Sequence, residues 1–265
     1  MTVFPELAPK RRLEMLKPPS GPVDMVLDTD TYNEIDDQFA LVYAMLSETL
    51  NVKAVYAAPF HNSRSAGPGD GMEKSYEEIL RILNFLGVDN EGLAMRGSTS
   101  YLPDMNEPVE SEAARDLVRK AQSCEDGPLY VVAIGAITNV ASALLMAPEI
   151  AERIAIIWLG GHPVYWPHSI EFNLRQDIEA ARVVFDSGVP LMRLPCANVA
   201  EQLRTTLPEM ERYVKGQGEI GDYLYGIFRD YREDHYAYSK VIWDIGAVAY
   251  LIDADWLATD LVPSP

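Results

Sequence analysis

The chain is poor in cysteine, which argues against a fold held together by disulfides or zinc. Cys124 and Cys196 lie far apart, and neither belongs to a CxxC or a Cys/His spacing. Disulfide-rich domains and zinc sites need several closely spaced cysteines. We therefore expect two ordinary reduced thiols.

Basic residues are also scarce. The sequence has 22 Lys and Arg against 40 Asp and Glu, which gives a formal net charge of -18. Proteins that bind a phosphate backbone need clustered basic side chains. The composition therefore predicts that nucleic acid is not a partner.

Long apolar runs and glycine-rich phosphate loops are missing as well. No uninterrupted apolar run approaches the roughly 18 residues of a membrane span, and the charged stretch 1–17 lacks the apolar core of a signal peptide. The sequence has neither a GxGxxG nor a Walker pattern. We expect a cytoplasmic protein that does not contact a membrane.

Strand-like and helix-like patterns alternate along the chain. Apolar runs typical of buried strands occupy residues 23–27, 52–58, 129–134, 154–159 and 190–194. Helical spacing occupies residues 5–17, 36–46, 72–86, 107–123, 140–146, 178–186, 207–215, 220–233 and 245–252. This alternation predicts an α/β fold with an open, mainly parallel sheet flanked by helices. We expect a single domain over residues 1–265, in which residues 1–22 form an N-terminal extension.

Acidic residues are concentrated directly after the first predicted strand, where five lie within ten positions. They are Asp28, Asp30, Glu34, Asp36 and Asp37. Such a cluster repels itself unless a cation lies among the carboxylates, and Ca²⁺ and Mg²⁺ prefer oxygen ligands. One segment rarely supplies every ligand, so a distant carboxylate is needed. Asp244, ahead of an apolar helix, is the best candidate, although an N-cap role would explain it equally well.

Polar or glycine-rich segments follow several of the predicted strands. They are residues 28–30, 60–62, 134–135 and 160–162. Ligands of open parallel sheets bind at the carboxyl ends of the strands. We expect these four segments to converge on one mouth.

The order of these motifs resembles the inosine-uridine-type nucleoside hydrolases over nearly the whole chain, from residue 23 to residue 252. The matching positions are Asp28, Asp30, Asp36, Asp37, Ala40, Leu41, Gly135, Thr138, Asn139, Leu159, Gly160, Gly161, Glu171, Phe172, Asn173, Asp244, Ala247, Tyr250 and Leu251. The resemblance implies a Rossmann-like nucleoside hydrolase fold. It also implies hydrolysis of the N-glycosidic bond of a ribonucleoside to free base and pentose.

The resemblance further implies roles for individual residues. Asp30 matches the general base, which also binds the metal. The remaining Ca²⁺ ligands match Asp37, the backbone carbonyl of Ile134, and Asp244. Residues that match groups binding the sugar are Asp36, Asn62, Glu171 and Asn173, and Asp28 matches a supporting acid. The family habit implies a homodimer or homotetramer that works in purine or pyrimidine salvage.

Two features depart from the family pattern. The acidic motif is two residues longer between Asp30 and Asp36, so the loop must bulge and Asn33 or Glu34 is expected to enter the site. Many members have His immediately before the late Asp, whereas this chain has Trp243. Trp243 suits stacking on the base, with a core tryptophan as the alternative. Protonation of the leaving base must then come from elsewhere, and a Tyr or His within residues 231–236 is one candidate.

Two other functions compete with nucleoside hydrolysis. Asp28-Thr-Asp30 after an apolar strand resembles the haloacid-dehalogenase-type phosphatases, but Tyr32 stands where those proteins have Thr or Val. The second alternative is a metal-dependent nucleoside- or sugar-binding protein without turnover, which the replacement of His by Trp243 keeps open. Release of reducing sugar that EDTA abolishes would distinguish the hydrolase from both.

Overall fold

The computed structural model describes residues 2–125 and 127–264. Its main sheet has six strands in the order β3-β2-β1-β4-β5-β6, and every neighbouring pair is parallel. The strands are β1 (Val23–Thr29), β2 (Leu50–Ala57), β3 (Ala94–Arg96), β4 (Leu129–Ala133), β5 (Ile154–Leu159) and β6 (Leu191–Leu194). Two short strands, β7 (Arg204–Thr205) and β8 (Lys240–Val241), form a separate antiparallel pair. The predicted α/β class with a parallel sheet is confirmed.

Helices pack on the two faces of this sheet. They are α1 (Pro9–Met15), α2 (Asp37–Leu46), α3 (Pro68–Phe85), α4 (Glu112–Ser123), α5 (Thr138–Met146), α6 (Phe172–Gln176), α7 (Ile178–Asp186), α8 (Leu207–Tyr213), α9 (Gly218–Asp230) and α10 (Ile245–Ile252). Within the described residues, none of the helices is both long enough and apolar enough to cross a membrane.

Alternation along β1 divides the core into two apolar clusters. Met25 and Leu27 belong to the cluster that contains helices α2, α3, α9 and α10, whereas Val26 belongs to the cluster with α4, α5 and α7. Successive strand side chains point to opposite faces, so one strand anchors both layers. Leu7 and Met15 of the N-terminal segment are buried in the second cluster, so this segment packs against the domain.

Several details differ from the sequence prediction. Helix α1 is shorter than residues 5–17, α3 begins at Pro68 rather than at residue 72, and α6 was not predicted. Helix α4 begins at Glu112 rather than at residue 107, because Ser111 accepts a hydrogen bond from the backbone N of Ala114 (3.0 Å) and caps the helix there. Strands β3, β7 and β8 were not predicted. They are two or three residues long, too short to show an apolar pattern.

The direction of winding reverses at β1, which lies between β2 and β4 in the sheet. Such a switch point leaves a crevice beyond the carboxyl ends of the two central strands. Asp28 pairs with Ala133 across β1 and β4, so the acidic segment after β1 lies beside Ile134. The topology therefore places the candidate site at this crevice.

Candidate active site

Five buried aspartates form what we term the acidic floor, at the carboxyl end of β1 and at the starts of α2 and α10. They are Asp28, Asp30, Asp36, Asp37 and Asp244, and each is at most 3% exposed. Three peptide segments contribute to it, residues 28–30, 36–37 and 244. Folding thus brings the distant carboxylate of Asp244 to the local cluster.

Helix capping does not explain the positions of Asp36 and Asp244, the two floor residues that precede helices. Asp36 and Asp244 occupy the N-cap positions of α2 and α10, yet neither side chain accepts a hydrogen bond from its own helix. An N-cap aspartate ordinarily accepts an N–H of the first turn. The positive ends of both helix dipoles nevertheless lie next to the floor and favour negative charge there.

The floor has the geometry and the donor set of a metal site. One carboxylate oxygen each from Asp36, Asp37 and Asp244 lies within 4.8 Å of the others. Both carboxylate oxygens of Asp30 and Oδ2 of Asp37 are buried without a hydrogen-bond partner among the described residues. Buried polar atoms are nearly always satisfied, and an all-oxygen donor set suits a hard divalent cation. The residues present therefore fit a metal of that class.

Burial raises the pKa of every floor carboxyl. For Asp37, burial and the charge of Asp36 raise the pKa to about 8. Burial raises the pKa of Asp36 to about 6 against the opposing charge of Lys240, and the pKa values of Asp30 and Asp244 are raised further. A cation among these groups would favour their ionised forms, so the floor takes up either protons or a metal.

Asp28 is held from behind by Asn139, a residue of α5. Asn139 Nδ2 donates to Asp28 Oδ1 (2.7 Å) and to the carbonyl of Ala57 (3.2 Å), while its Oδ1 accepts from the backbone N of Ser98 (2.7 Å). A Cβ at Gly97 would lie 2.5 Å from Asn139 Nδ2, so only glycine admits this approach. The Asp28 carboxylate is thereby oriented by a buried polar network.

A second glycine lies against Asp30. A Cβ at Gly135 would stand 3.0 Å from both Cγ and Oδ1 of Asp30. On the other side of the floor, Thr29 Oγ1 donates to Asp37 Oδ1 at 2.6 Å. Close packing thus restricts movement of the Asp30 carboxylate, and a short hydrogen bond restricts movement of the Asp37 carboxylate.

Two of the residues predicted to bind the sugar, Glu171 and Asn173, form hydrogen bonds with other parts of the protein. Asn173 Nδ2 donates to the carbonyls of Ile134 and Leu159, both at 3.0 Å. Glu171 caps α6 by accepting from the backbone N of Asn173 (2.9 Å) and also accepts from the backbone N of Gly161 (2.8 Å). These bonds fix both side chains against the strand end that carries Ile134.

A cavity of about 410 Å³ lies above the floor. Its lining residues are Asn33, Glu34, Asp36, Asn62, Ile134, Leu159, His162, Glu171, Phe172, Asn173, Cys196, Trp243 and Asp244. Seven of them are half-buried: Glu171, which caps α6, and six that we term the rim, Asn33, Glu34, Asn62, His162, Phe172 and Trp243. The cavity brings Asp36, Asn62, Ile134, Glu171, Asn173, Trp243 and Asp244 of the predicted site together. Asp28, Asp30 and Asp37 lie in the floor and do not line the cavity.

The lengthened loop of the acidic motif joins the rim to a buried lysine. Lys240 Nζ lies 2.7 Å from Glu34 Oε2 and 3.7 Å from Asp36 Oδ2, and its side chain is 5% exposed. Tyr231 donates its hydroxyl proton to Glu34 Oε1 (2.7 Å). The backbone N of Trp243 donates to Asp36 Oδ2 (3.3 Å). Lys240 was not singled out in the sequence, where no local signal distinguishes it from a surface lysine.

The segment 231–236 does not supply a proton donor to the cavity lining. Tyr231 donates to Glu34, as described, and the ring of His235 stacks on Phe228 with centroids 5.8 Å apart. His235 Nε2 lies 2.9 Å from the carbonyl of Arg229. His162, by contrast, lines the cavity. Its position directly after Gly160-Gly161 at a strand end is the signal in the sequence that points to it.

A parallel sheet with a buried cluster of carboxylates at its switch point, below a cavity, is typical of enzymes that act on a small molecule. Comparison with known proteins specifies that class. Residues 25–263 match the family model described as inosine-uridine preferring nucleoside hydrolase. The chain belongs to this family, which depends on a metal, and it is an N-glycosyl hydrolase that acts on ribonucleosides. The match contradicts the alternative that the protein is a haloacid-dehalogenase-type phosphatase.

Individual relatives agree with this assignment. The chain is 29% identical to a probable uridine nucleosidase 2 of Arabidopsis thaliana, over 91% of this chain and 78% of that protein. It is 29% identical to a pyrimidine-specific ribonucleoside hydrolase RihA of Salmonella paratyphi A, over 71% of this chain and 65% of the relative. A purine-preferring ribonucleoside hydrolase from Gardnerella vaginalis has the same fold, with a TM-score of 0.71 at 22% identity over 91% of this chain and 83% of that one.

Proposed function

We propose that the protein hydrolyses ribonucleosides with Ca²⁺ bound by Asp30, Asp37, Asp244 and the backbone carbonyl of Ile134. The observation that supports this is the set of buried, unpartnered oxygens of Asp30 and Asp37 beside Asp244. Bound there, Ca²⁺ would supply a Lewis acid that lowers the pKa of an attacking water. Asp36 lies in the same cluster and can reach either the metal or the sugar.

Asp30 is the proposed general base. Its two carboxylate oxygens have no hydrogen-bond partner among the described residues, so neither is committed to another group of the protein. A carboxylate within hydrogen-bond reach of the nucleophile takes the proton as the C–O bond forms. Asp28 supports the floor through its bond to Asn139.

The sugar and the base contact different parts of the cavity in this proposal. Asp36, Asn62, Glu171 and Asn173 bind the pentose hydroxyls, because their oxygens and amides line the cavity next to the floor. Trp243, in the rim, stacks on the base. Departure of the base leaves an oxocarbenium-like sugar, whose positive charge the surrounding carboxylates stabilise.

Two further parts of the proposal concern the context of the enzyme. We propose that it works as a homodimer or homotetramer, and that it acts in the cytoplasm in purine or pyrimidine salvage. Support comes from the family membership. Size-exclusion chromatography with light scattering measures the mass, which is expected to be two or four times 29.6 kDa.

The test replaces Asp30 by Asn. The variant is expected to lose at least ~10³-fold in kcat, because the amide cannot accept the proton, while nucleoside binding stays measurable by calorimetry. Reducing-sugar release from a panel of purine and pyrimidine nucleosides provides the assay. EDTA should abolish turnover by the native enzyme, and Ca²⁺ should restore it.

Asp24→Asn is the matched control, because Asp24 lies in β1, the strand that Asp30 directly follows, and its side chain is 44% exposed and pairs with Lys53. It should keep full activity. Full activity of Asp30→Asn would refute the assignment of the base. Binding of nucleosides by the native protein without any turnover would favour the binding-protein alternative.

A further inference from the structure

The hydrolysis needs a proton donor for the departing base. Cleavage of the C1′–N bond leaves an electron pair on the base nitrogen, and a purine or pyrimidine anion is a poor leaving group. A side chain that donates a proton to that base as the bond breaks lowers the barrier, typically by a factor of 10²–10⁴ in rate. The acidic floor serves the opposite reaction, which is removal of a proton from water.

Most of the cavity lining cannot fill this role. Asn33, Asn62 and Asn173 have amide groups, which do not exchange protons in the neutral range, and Ile134, Leu159 and Phe172 are apolar. Burial raises the pKa of the Cys196 thiol far above neutrality, so it keeps its proton. Burial opposes ionisation of Glu34, but Lys240 lowers the pKa of that carboxyl, so it is ionised and accepts hydrogen bonds.

The lining carboxyls of Asp36, Glu171 and Asp244 have roles toward the metal and the sugar in the proposed function. The indole of Trp243 does not release its proton in the neutral range. Among the described lining residues, His162 is then the candidate donor and the one imidazole. Imidazole is the side chain that gains and loses protons near neutral pH. The Nδ1 atom of His162 is buried and has no hydrogen-bond partner among the described residues. A buried ring nitrogen without a partner is expected to have one in the working complex.

The surroundings of His162 hold its ring in place. Arg193 donates to the carbonyl oxygen of His162 (2.8 Å), which anchors the backbone at the end of β5. The rings of Trp166 and His168 pack on the imidazole with centroids 5.7 and 5.5 Å away. Neither of these rings lines the cavity. The imidazole is thus positioned without using its ring nitrogens.

We propose that His162 is the general acid that protonates the leaving base. The inference rests on the proposed function. The C1′–N bond breaks with its electron pair going to the base nitrogen, and the ring N–H of protonated His162 transfers its proton to the base. The water gives its hydroxyl to C1′ and its proton to Asp30. His162 then regains a proton from solvent and Asp30 releases one, so that nucleoside and water become base and pentose.

The test compares leaving groups in His162→Ala and His162→Gln. Inosine and uridine need protonation of the base, whereas p-nitrophenyl β-D-ribofuranoside releases a stable phenolate without it. Both variants should lose about 10²–10³-fold in kcat on the nucleosides and stay within about threefold of native on the nitrophenyl riboside. Added imidazole should restore part of the nucleoside activity of His162→Ala.

His61→Ala is the matched control, since it removes an exposed imidazole that does not line the cavity and does not pack on His162. It should leave both classes of substrate unaffected. An equal loss on nucleosides and on the nitrophenyl riboside, in variants that melt at the native temperature, would show a structural role and overturn the proposal. Full nucleoside activity in both His162 variants would also overturn it.

Assays of the native enzyme distinguish a failure of this inference from a failure of the proposed function. Native protein that cleaves neither nucleosides nor the nitrophenyl riboside in the presence of Ca²⁺ would contradict the proposed hydrolysis itself. Native protein that cleaves both, with His162 variants that show no selective loss, would contradict only the role of His162. Circular dichroism of each variant identifies failure to fold, in which case His162→Gln replaces His162→Ala as the deciding variant.

Discussion

The acidic floor and the rim are two ends of one cavity, and they are built in different ways. The floor consists of carboxylates at most 3% exposed, and most of them come from one short segment after β1. The rim is half-buried and draws Glu34, Asn62, His162, Phe172 and Trp243 from separate segments. The floor has a single kind of donor, whereas the rim combines amide, acid, imidazole and aromatic groups.

Under the proposed function, the floor carries the chemistry that is common to all nucleosides, and the rim contacts the particular base. A site that binds a cation and a sugar must be rigid and uniformly rich in oxygen, and burial supplies both properties. Recognition and departure of the base require varied contacts, which loops provide without disturbing the strands. Lys240 connects the two ends, because it contacts Glu34 of the rim and Asp36 of the floor.

Among the changes that test this comparison of the floor with the rim, the largest effect is expected from adding one methyl group at the floor. In Gly135→Ala the new Cβ would lie 3.0 Å from Oδ1 of Asp30, so the carboxylate must shift. Displacement of a catalytic group by a fraction of an ångström to 1 Å can cost ~10²-fold, and we expect a loss of 10- to 100-fold in kcat. Steady-state assays on the preferred nucleoside measure it.

Gly226→Ala is the control, because a Cβ at Gly226 meets nothing within 4 Å. That substitution should leave kcat unchanged, and the melting temperature should stay the same or rise slightly because Gly226 lies inside helix α9. If Gly135→Ala keeps native kcat, the floor is more tolerant of movement than its packing indicates, and the contrast with the rim weakens.

A smaller effect is expected where the floor meets the rim. Lys240→Met removes the cation that lies beside both Glu34 and Asp36, so the lengthened loop loses its anchor. We expect KM to rise about tenfold, with a lesser rise for Glu34→Gln. A double-mutant cycle of the two changes should give a coupling of at least about 0.5 kcal/mol, as groups in direct contact do.

The control for that cycle is Lys53→Met, which removes an exposed lysine paired with Asp24. Exposed pairs contribute little, so KM should stay at its native value. Strict additivity of Lys240→Met and Glu34→Gln would mean that the floor and the rim act independently.

The smallest effect is a dependence of stability on pH when the metal is removed. The pKa values of Asp36, Asp28 and Asp37 are raised from 3.8 to about 6, about 7 and about 8, chiefly by burial. The folded state therefore binds protons more tightly than the unfolded chain. That stabilisation is complete below pH 3.8 and is lost as pH rises through the folded-state values.

In EDTA, the melting temperature should therefore fall by roughly 3 °C or more between pH 5.5 and pH 8.5, as scanning calorimetry can measure. Added Ca²⁺ should flatten this dependence, since the cation replaces the protons, and Asp37→Asn should reduce the dependence in EDTA. A melting temperature that rises with pH in EDTA would contradict the electrostatic description of the floor.

The floor could be predicted from the sequence because its physical causes are local. A strand followed at once by several acids predicts both the position of the acidic cluster and a hard divalent cation within it, and helices α7 and α10 begin and end where their apolar spacing predicts. Even the distant Asp244 carried a signal, since an acid precedes an uninterrupted apolar helix. Its alternative role as a cap is not supported, because its side chain accepts no bond from α10.

The rim could not be predicted in the same way. The bond between Tyr231 and Glu34 joins two loops that have no regular period, and Lys240 differs from a surface lysine only through its burial. Strand β8, which carries Lys240, has two residues and leaves no pattern in the sequence. Contacts of this kind depend on how loops meet after the sheet has formed.

The ion pair between Glu34 and Lys240 spans 206 positions of the chain, and this separation has a consequence for biosynthesis. A growing chain presents its acids early, since domains form from the N-terminal end during translation. Until β8 and α10 leave the ribosome, those acids lack both the Lys240 ammonium and the Asp244 carboxylate. A nascent chain that ends before residue 240 therefore has the sheet but not the whole acidic floor, which is completed only after residues 240–252 have left the ribosome.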